Sequence, residues 1–269
     1  MDEVIGTVVG RWYVTLFGLT FAYFAVRHLG WRRTLLYSVA AFAVGAAAEN
    51  ASVRWGIPYT RYAFDPSLRG DELWIGNVPL FVPLSYTFMG YFAFAAGRLV
   101  ASGPRHTRGR RPSVELAASV LLGVWALWIV DPVSRLGDEF YLGPVFSYAG
   151  PGFWFGLPLG SQLGFTATAI VLVSMLHALA GAEPDRAVAR PWRHPHVPAL
   201  VTYLVQVFHL AVIAIVIDHA DIGGAAFLIA IPTVCAVALY WSALRERDIA
   251  EASSASGSVA GQRTSVDAR

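Results

Sequence analysis

The stretch VELAASVLLGVWALWIV, residues 114–130, is an almost unbroken apolar run that stops at Asp131-Pro132. It approaches the ~20 residues that a helix needs to cross a bilayer. Comparable runs lie at 12–26, 34–50, 79–97, 161–180, 198–217 and 225–243. A helix is the only open structure that crosses lipid with its backbone satisfied. Of the 269 residues, 56% are hydrophobic and 14% are charged, against roughly a quarter charged in a soluble domain. These features predict an all-α fold, a polytopic membrane bundle of about seven transmembrane helices over residues 1–244. A disordered cytoplasmic tail, rich in Ser, Ala and Gly, is expected over 245–269.

Arginine placement sets the expected orientation. Fifteen of the twenty arginines fall in the 27–33, 98–113 and 181–197 connections and the tail, on one side of the alternating spans. By the positive-inside rule that side is cytoplasmic, so the N-terminus is expected outside and the C-terminus inside, in the plasma membrane. Asp2 and Glu3 precede the first run where a signal peptide would be basic, so the first helix is expected to be retained. The two long connections on the outer side, 51–78 and 131–160, are rich in Gly, Pro and aromatics. Segments such as FWFGLPLG, 153–160, are too apolar for free loops and are expected to fold back onto the helix ends or dip into the membrane, where protein covers their backbone.

Composition also excludes chemistries. The chain has no lysine, which removes a lysine Schiff base and a Walker-type phosphate loop. A net charge of +2 and the lack of a basic patch with interleaved aromatics give no expectation of nucleic-acid binding. The single cysteine, Cys235, is read as a small buried hydrophobe. The histidines form no clustered ligand set: His177 lies near the cytoplasmic end of its span, His194 and His196 lie in a cytoplasmic loop, and His209, within a span, can simply hydrogen-bond a neighbour. No metal is therefore expected, and with no dinucleotide fingerprint in its strand context no cofactor is expected either.

Three acids end three spans: Glu49 the second, Asp131 the fourth and Asp218 the sixth. Alternating topology puts all three at one membrane face, and ionisable groups at that depth suggest a functional site. The competing reading is that each merely marks the water boundary, with Asp131-Pro132 and Asp218-His219 as helix terminators. Small residues in GAAAEN, 45–50, let other helices approach closely. Burial disfavours the charged form of a carboxyl group, so an acid in an apolar pocket can act as a proton donor. Aromatic faces stabilise a nearby cation, and Trp55, Tyr59, Tyr62, Trp74, Tyr86, Trp128, Tyr141, Phe153 and Trp154 supply them, although interfacial belts use the same residues. Acid plus aromatics suits protonation of a carbon–carbon double bond and shelter of the carbocation. Arg61 can bind a phosphate or orient a carboxylate, or pair with the loop acids Asp65, Asp71 and Glu72 at the surface.

The patches Glu49…Gly56-Ile57-Pro58-Tyr59-Thr60-Arg61-Tyr62, GNVPLFVPLSY (76–86), Asp131-Pro132 and GFWFGLPLGSQLGF (152–165) together resemble the carotenoid biosynthesis membrane-protein family. That family includes carotenoid 1,2-hydratases such as bisanhydrobacterioruberin hydratase. The resemblance runs over about residues 40–170. It implies a multi-span enzyme that adds water across the terminal double bond of a linear carotenoid without a redox cofactor, a hydro-lyase. Tyr86 stands where the family commonly has Trp, and Ser161-Gln162 and Phe165 replace a more usual Asn and Trp. A shorter prenyl chain, or cyclisation in place of hydration, fits a pocket so reshaped.

The first reading is thus an acid-catalysed carotenoid hydratase acting on a lipophilic isoprenoid dissolved among membrane lipids. Glu49 and Asp131 are expected as the acid and its partner, with Asn50, Tyr59 and Tyr62 orienting them or holding water. Trp55 and Trp154 are expected to line the cation pocket, and Arg61, Tyr86 and Asp218 to contact substrate. The second reading is a membrane terpene cyclase, which keeps water from the cation. The third is a non-catalytic transporter or scaffold, weighed against by the few charges inside the spans.

Overall fold

Six of the seven apolar runs are complete helices in the protein's computed structural model, which describes residues 2–102, 112–181 and 196–231 together with 234, 235, 238, 242 and 246. After a short helix α1 (Glu3–Ile5) and a π-helical turn (Gly6–Gly10) come α2 (Trp12–Leu29), α3 (Trp31–Trp55), α4 (Phe81–Ser102), α5 (Pro112–Ser134), α6 (Leu159–Ala180) and α7 (Val197–Val216). The seventh run begins inside α8 (Ala220–Ile231), and most of it past Ile231 lies outside the described residues, as does most of the expected tail. The chain divides into two compact units, 1–230 and 231–269. The bundle belongs to the first. In the second, Cys235 is exposed rather than buried, because outward positions of an apolar run are as hydrophobic as inward ones.

By length and composition three helices, α5, α6 and α7, can cross a membrane, and the N-terminal segment with α2 makes a fourth if that pair is one span bent by 72°. The outward faces fit that setting. Leu16 and Leu19 on α2, Leu35 and Val39 on α3 and Val205 and Val212 on α7 are all large, apolar and exposed, which is unusual for a surface that meets water.

Helix α4 sits at the centre and packs against α2, α3, α5, α6 and α7. Its buried run of Ala93, Ala95 and Ala96 keeps its surface narrow, which lets five helices approach one. Helix α3 stops at Gly56, whose φ of +76° is a left-handed cap. Glycine takes that conformation without a Cβ clash. Helix α5, by contrast, does not stop at Asp131-Pro132 as expected but runs to Ser134 with Pro132 inside it. Pro132 has no N–H to give the carbonyl of Trp128, four residues back. The indole Nε1 of Trp154 donates to that carbonyl instead, at 2.9 Å, so the last turn survives.

The two long connections pair with each other. Strand β1 (Tyr62–Phe64) lies antiparallel to β4 (Phe146–Tyr148), with Tyr62 opposite Tyr148 and Phe64 opposite Phe146. Between them in sequence, β2 (Trp74–Ile75) and β3 (Val78–Pro79) make a small hairpin. Arg11, at the bend before α2, staples this cover to the bundle. Its Nε pairs with Glu72 Oε1 at 2.7 Å, another guanidinium nitrogen donates to the carbonyl of Leu142, and the charge lies over the Phe81 ring at 4.4 Å. Both members of the pair are buried.

Candidate functional site

Under the paired loops lies a cavity of about 200 Å³, lined from every helix between α2 and α7. Its wall is overwhelmingly apolar and aromatic. Two carboxyl groups reach it, Glu49 from the last turns of α3 and Asp131 from the last turn of α5. Both are buried, and both line this one cavity. Each retains one oxygen, Glu49 Oε2 and Asp131 Oδ2, with no hydrogen-bond partner among the described residues. Buried polar atoms are seldom left so, and an explanation is owed when they are.

The other oxygen of Glu49 is held. Tyr86 on α4 donates its hydroxyl to Glu49 Oε1. Tyr86 and Tyr59 hydroxyls lie 2.9 Å apart, and the Tyr59 hydroxyl lies 3.0 Å from Thr168 Oγ1 on α6. A chain of hydroxyls therefore runs from the acid through three other elements. Local packing fixes it. Tyr59 donates its backbone N–H to Ser52 Oγ at 3.0 Å, and its ring stacks on Phe165 with centroids 4.2 Å apart. Gly45, one helical turn before Glu49, leaves room for Tyr86: a Cβ there would come within 2.9 Å of the Tyr86 ring.

Around the carboxyls stand Tyr62, Phe64, Phe81, Phe146, Tyr148 and Phe165. The strand pairing that places Tyr62 opposite Tyr148 thus brings an aromatic from each loop over the cavity. Burial raises Tyr148 above the ordinary phenol range, and the neighbouring Asp131 charge raises it further. Tyr59 is raised for the same primary reason, with Glu49 as its charged neighbour. Both phenols hold their protons through neutral pH.

Of the residues expected at a site, Glu49, Asp131, Tyr62 and Tyr86 meet at the cavity, and Tyr59 joins through its hydroxyl. Tyr141, one of the aromatics expected to supply a ring face, lines the cavity as well, whereas the remaining expected residues are placed elsewhere. Trp55 is 67% exposed at the end of α3 and does not line the cavity. Trp154 instead packs on Trp128, ring centroids 5.2 Å apart, while filling the backbone gap left by Pro132. Arg61 is exposed. Asp218 is exposed with a φ of +66°, in the turn that joins α7 to α8, which fits the terminator reading. Asn50 holds the β2–β3 turn: its Nδ2 donates to Ala46 and Ile75 carbonyls at 2.8 and 3.1 Å, and its Oδ1 accepts from Asn77 N–H at 2.8 Å.

Thr168, Tyr148 and Ser134 also line the cavity, and none of them stands out in the sequence. Thr168 is an ordinary hydroxyl in an apolar run and Ser134 one just past the end of another, with nothing local to mark them. Among the described residues no group of three or more His, Cys, Asp or Glu is set to hold a metal ion.

Comparison with known proteins gives one positive result. The model of a family described as carotenoid biosynthesis protein matches residues 9–237. No curated protein matches the chain, and no solved structure does.

Proposed function

The chain belongs to the carotenoid biosynthesis protein family, and from that premise we propose that it is an integral membrane enzyme that protonates a terminal carbon–carbon double bond of a linear isoprenoid. The observation that carries this reading is the meeting of Glu49 and Asp131, each with a free oxygen, in one apolar and aromatic cavity. The bundle is taken to sit with about seven spans in the plasma membrane, the paired loops and the N-terminus outside and the C-terminus in the cytoplasm, as the arginine bias favours.

In the proposed reaction one carboxylic acid, Glu49, gives its proton to the less substituted alkene carbon. The π electrons form the new C–H bond and leave a tertiary carbocation. Tyr62, Phe64, Phe81 and Phe146 offer ring faces to that charge. Tyr86 donates to Glu49 and so stabilises the carboxylate that remains, in a setting where a preorganised donor counts for more than in water. A water molecule then attacks the cation, and Asp131 takes the proton that this water must lose. The net change is addition of one water to give a tertiary alcohol, and proton return from Asp131 to Glu49, through solvent, resets the site.

Cyclisation is the second reading. It uses the same protonation, but an internal alkene captures the cation and Asp131 removes a proton from carbon. The scarcity of polar groups in the cavity wall favours it, since water has few places to be held. Expression of the full chain in a lycopene-producing host, followed by mass analysis of the pigments, tests the proposal. Hydration adds the mass of one water, cyclisation leaves the mass unchanged but alters retention, and unaltered lycopene in a host shown to contain the protein counts against both for that substrate.

A further inference from the structure

The cavity has a mouth, and two residues mark it. Among the described residues that line the cavity, only Tyr141 and His209 are exposed. They are joined across the opening by a hydrogen bond, Tyr141 hydroxyl to His209 Nε2 at 3.1 Å. Tyr141 comes from the second loop and His209 from α7. On the other side Tyr141 rests on α2, its ring 5.6 Å from Trp12 and 5.8 Å from Tyr13.

The helices beside this mouth barely meet. Helices α2 and α7 both pack on α4 but hardly on each other. At one end they touch through His28 and His196, ring centroids 4.3 Å apart. At the other they are bridged by Tyr141. Between those points Val14 and Phe17 of α2 and Tyr203 and Gln206 of α7 face the cavity. From His196 to His209 the helix rises ~20 Å at 1.5 Å per residue. None of the described residues of α8 lines the cavity.

Size argues for a side opening. Pockets that enclose a drug-sized ligand measure ~300–1,000 Å³, and this one is about 200 Å³. It can take the end of a long isoprenoid and not the whole. The rest of the chain must leave through an apolar opening, and a molecule this insoluble arrives from lipid rather than water.

We infer that the cleft between α2 and α7 is a lateral portal through which a linear isoprenoid chain enters from the bilayer, with the Tyr141–His209 hydrogen bond as the latch across its mouth. The inference rests on the isoprenoid reading of the cavity. The terminal alkene lies at Glu49 and Asp131, and the remaining chain passes Phe17 and Gln206 into the lipid. His209 is a gating residue on this view and takes no part in proton transfer.

The test uses the full chain in phosphatidylcholine vesicles with diazirine-tagged geranylgeraniol, irradiated and mapped by mass spectrometry. Wild type is expected to carry adducts at Phe17 and Gln206 and, deeper, at Ala126 and Phe165, all reduced by added lycopene. His209→Trp, at an exposed position that tolerates bulk, is expected to lower the deep adducts at least fivefold. Tyr141→Ala, which opens the latch, is expected to raise their rate of formation about threefold. Adducts at the outward residues Leu19 and Val212 stay constant and report an intact protein in the bilayer. Deep adducts that form equally in all three proteins, or wild-type adducts confined to outward positions, overturn the portal. The readout needs no turnover: deep labelling through this cleft beside unaltered pigment in the expression assay would count against the proposed chemistry on lycopene and leave the portal standing.

Discussion

Tyr86 on α4 donates its hydroxyl to Glu49 on α3, and the same oxygen lies 2.9 Å from the hydroxyl of Tyr59 in the first loop. The acid is therefore oriented by a neighbour that sits at the helix–helix contact rather than by anything near it in sequence. Tyr86→Phe keeps the ring and removes the donor. It is expected to lower turnover by ~10- to 100-fold, since a positioned donor to a developing anion supplies about 1–3 kcal/mol. Stability should change by no more than about 2 kcal/mol. Pigment conversion per unit of membrane-inserted protein, with a melting curve in detergent, separates the two effects.

Glu49→Gln and Asp131→Asn preserve shape and remove the carboxyl groups proposed to transfer protons. Each is expected to cut conversion by ~10²- to 10⁴-fold, the usual contribution of general acid–base catalysis, while the protein remains in the membrane. Turnover at the wild-type rate in either variant would remove that residue from the reaction. Product made by Asp131→Asn but lost with Glu49→Gln would assign the donor.

How much of this was readable in the sequence depends on the range of the interaction concerned. Helices α2 to α7 were legible because an apolar run near 20 residues has few other uses, and their ends were readable where a local cap decides them, as at Gly56. The end of α5 was not. Pro132 predicts termination, but the missing bond is replaced by Trp154, 26 residues away. The same limit applies at the cavity. Topological alternation puts Glu49 and Asp131 on one face and cannot say which way they point, and it gives Asp218 the same standing although that residue is exposed in a turn. Asn50 adjoins Glu49 in sequence, yet the helical turn rotates it by ~100° onto the β2–β3 hairpin. Trp55 shares the aromatic character of Tyr62, but only Tyr62 is held by a strand pair over the cavity.

The close fit of α6 to the first loop gives a paired prediction. A Cβ at Gly164 would lie 2.4 Å from the Pro58 carbonyl oxygen and 2.6 Å from the Tyr59 ring. Ala is the better helix former by ~1 kcal/mol, but overpacking against backbone costs about 1–3 kcal/mol, and here the neighbour is a carbonyl that cannot swing away. Gly164→Ala is therefore expected to lower the melting temperature and to reduce conversion by displacing Tyr59. Gly18 in α2 has nothing among the described residues within 4 Å of its would-be Cβ, so Gly18→Ala should leave stability unchanged or raise it by up to about 1 kcal/mol.

Arg11 ties the N-terminal segment to both loops, so its loss should loosen the cover over the cavity. Arg11→Met removes the charge and leaves Glu72 buried without its partner. Breaking a buried pair from one side costs about 3–5 kcal/mol. Glu72→Gln with Arg11→Met removes both charges and is expected to recover a large part of that loss, because the orphaned carboxylate is gone. Denaturant midpoints of the single and double variants in detergent check this. A double variant less stable than Arg11→Met would contradict the account.

Alkaline stability probes the phenols beside the carboxyls. Burial raises Tyr59 and Tyr148 above the ordinary tyrosine value, which is about 10 in the unfolded chain. Between the unfolded and folded values the folded state binds more protons than the unfolded one, so the stability these groups contribute is complete below pH ~10 and falls as pH rises above it. Each tyrosine contributes a slope of at most about 1.4 kcal/mol per pH unit. The chain has no lysine to titrate in the same window, which makes the effect readable. Unfolding free energies between pH 9 and 11.5 should fall for wild type and fall less steeply for Tyr148→Phe. Equal slopes would mean that Tyr148 is reached by water, and that the cavity roof formed by the two loops is open there.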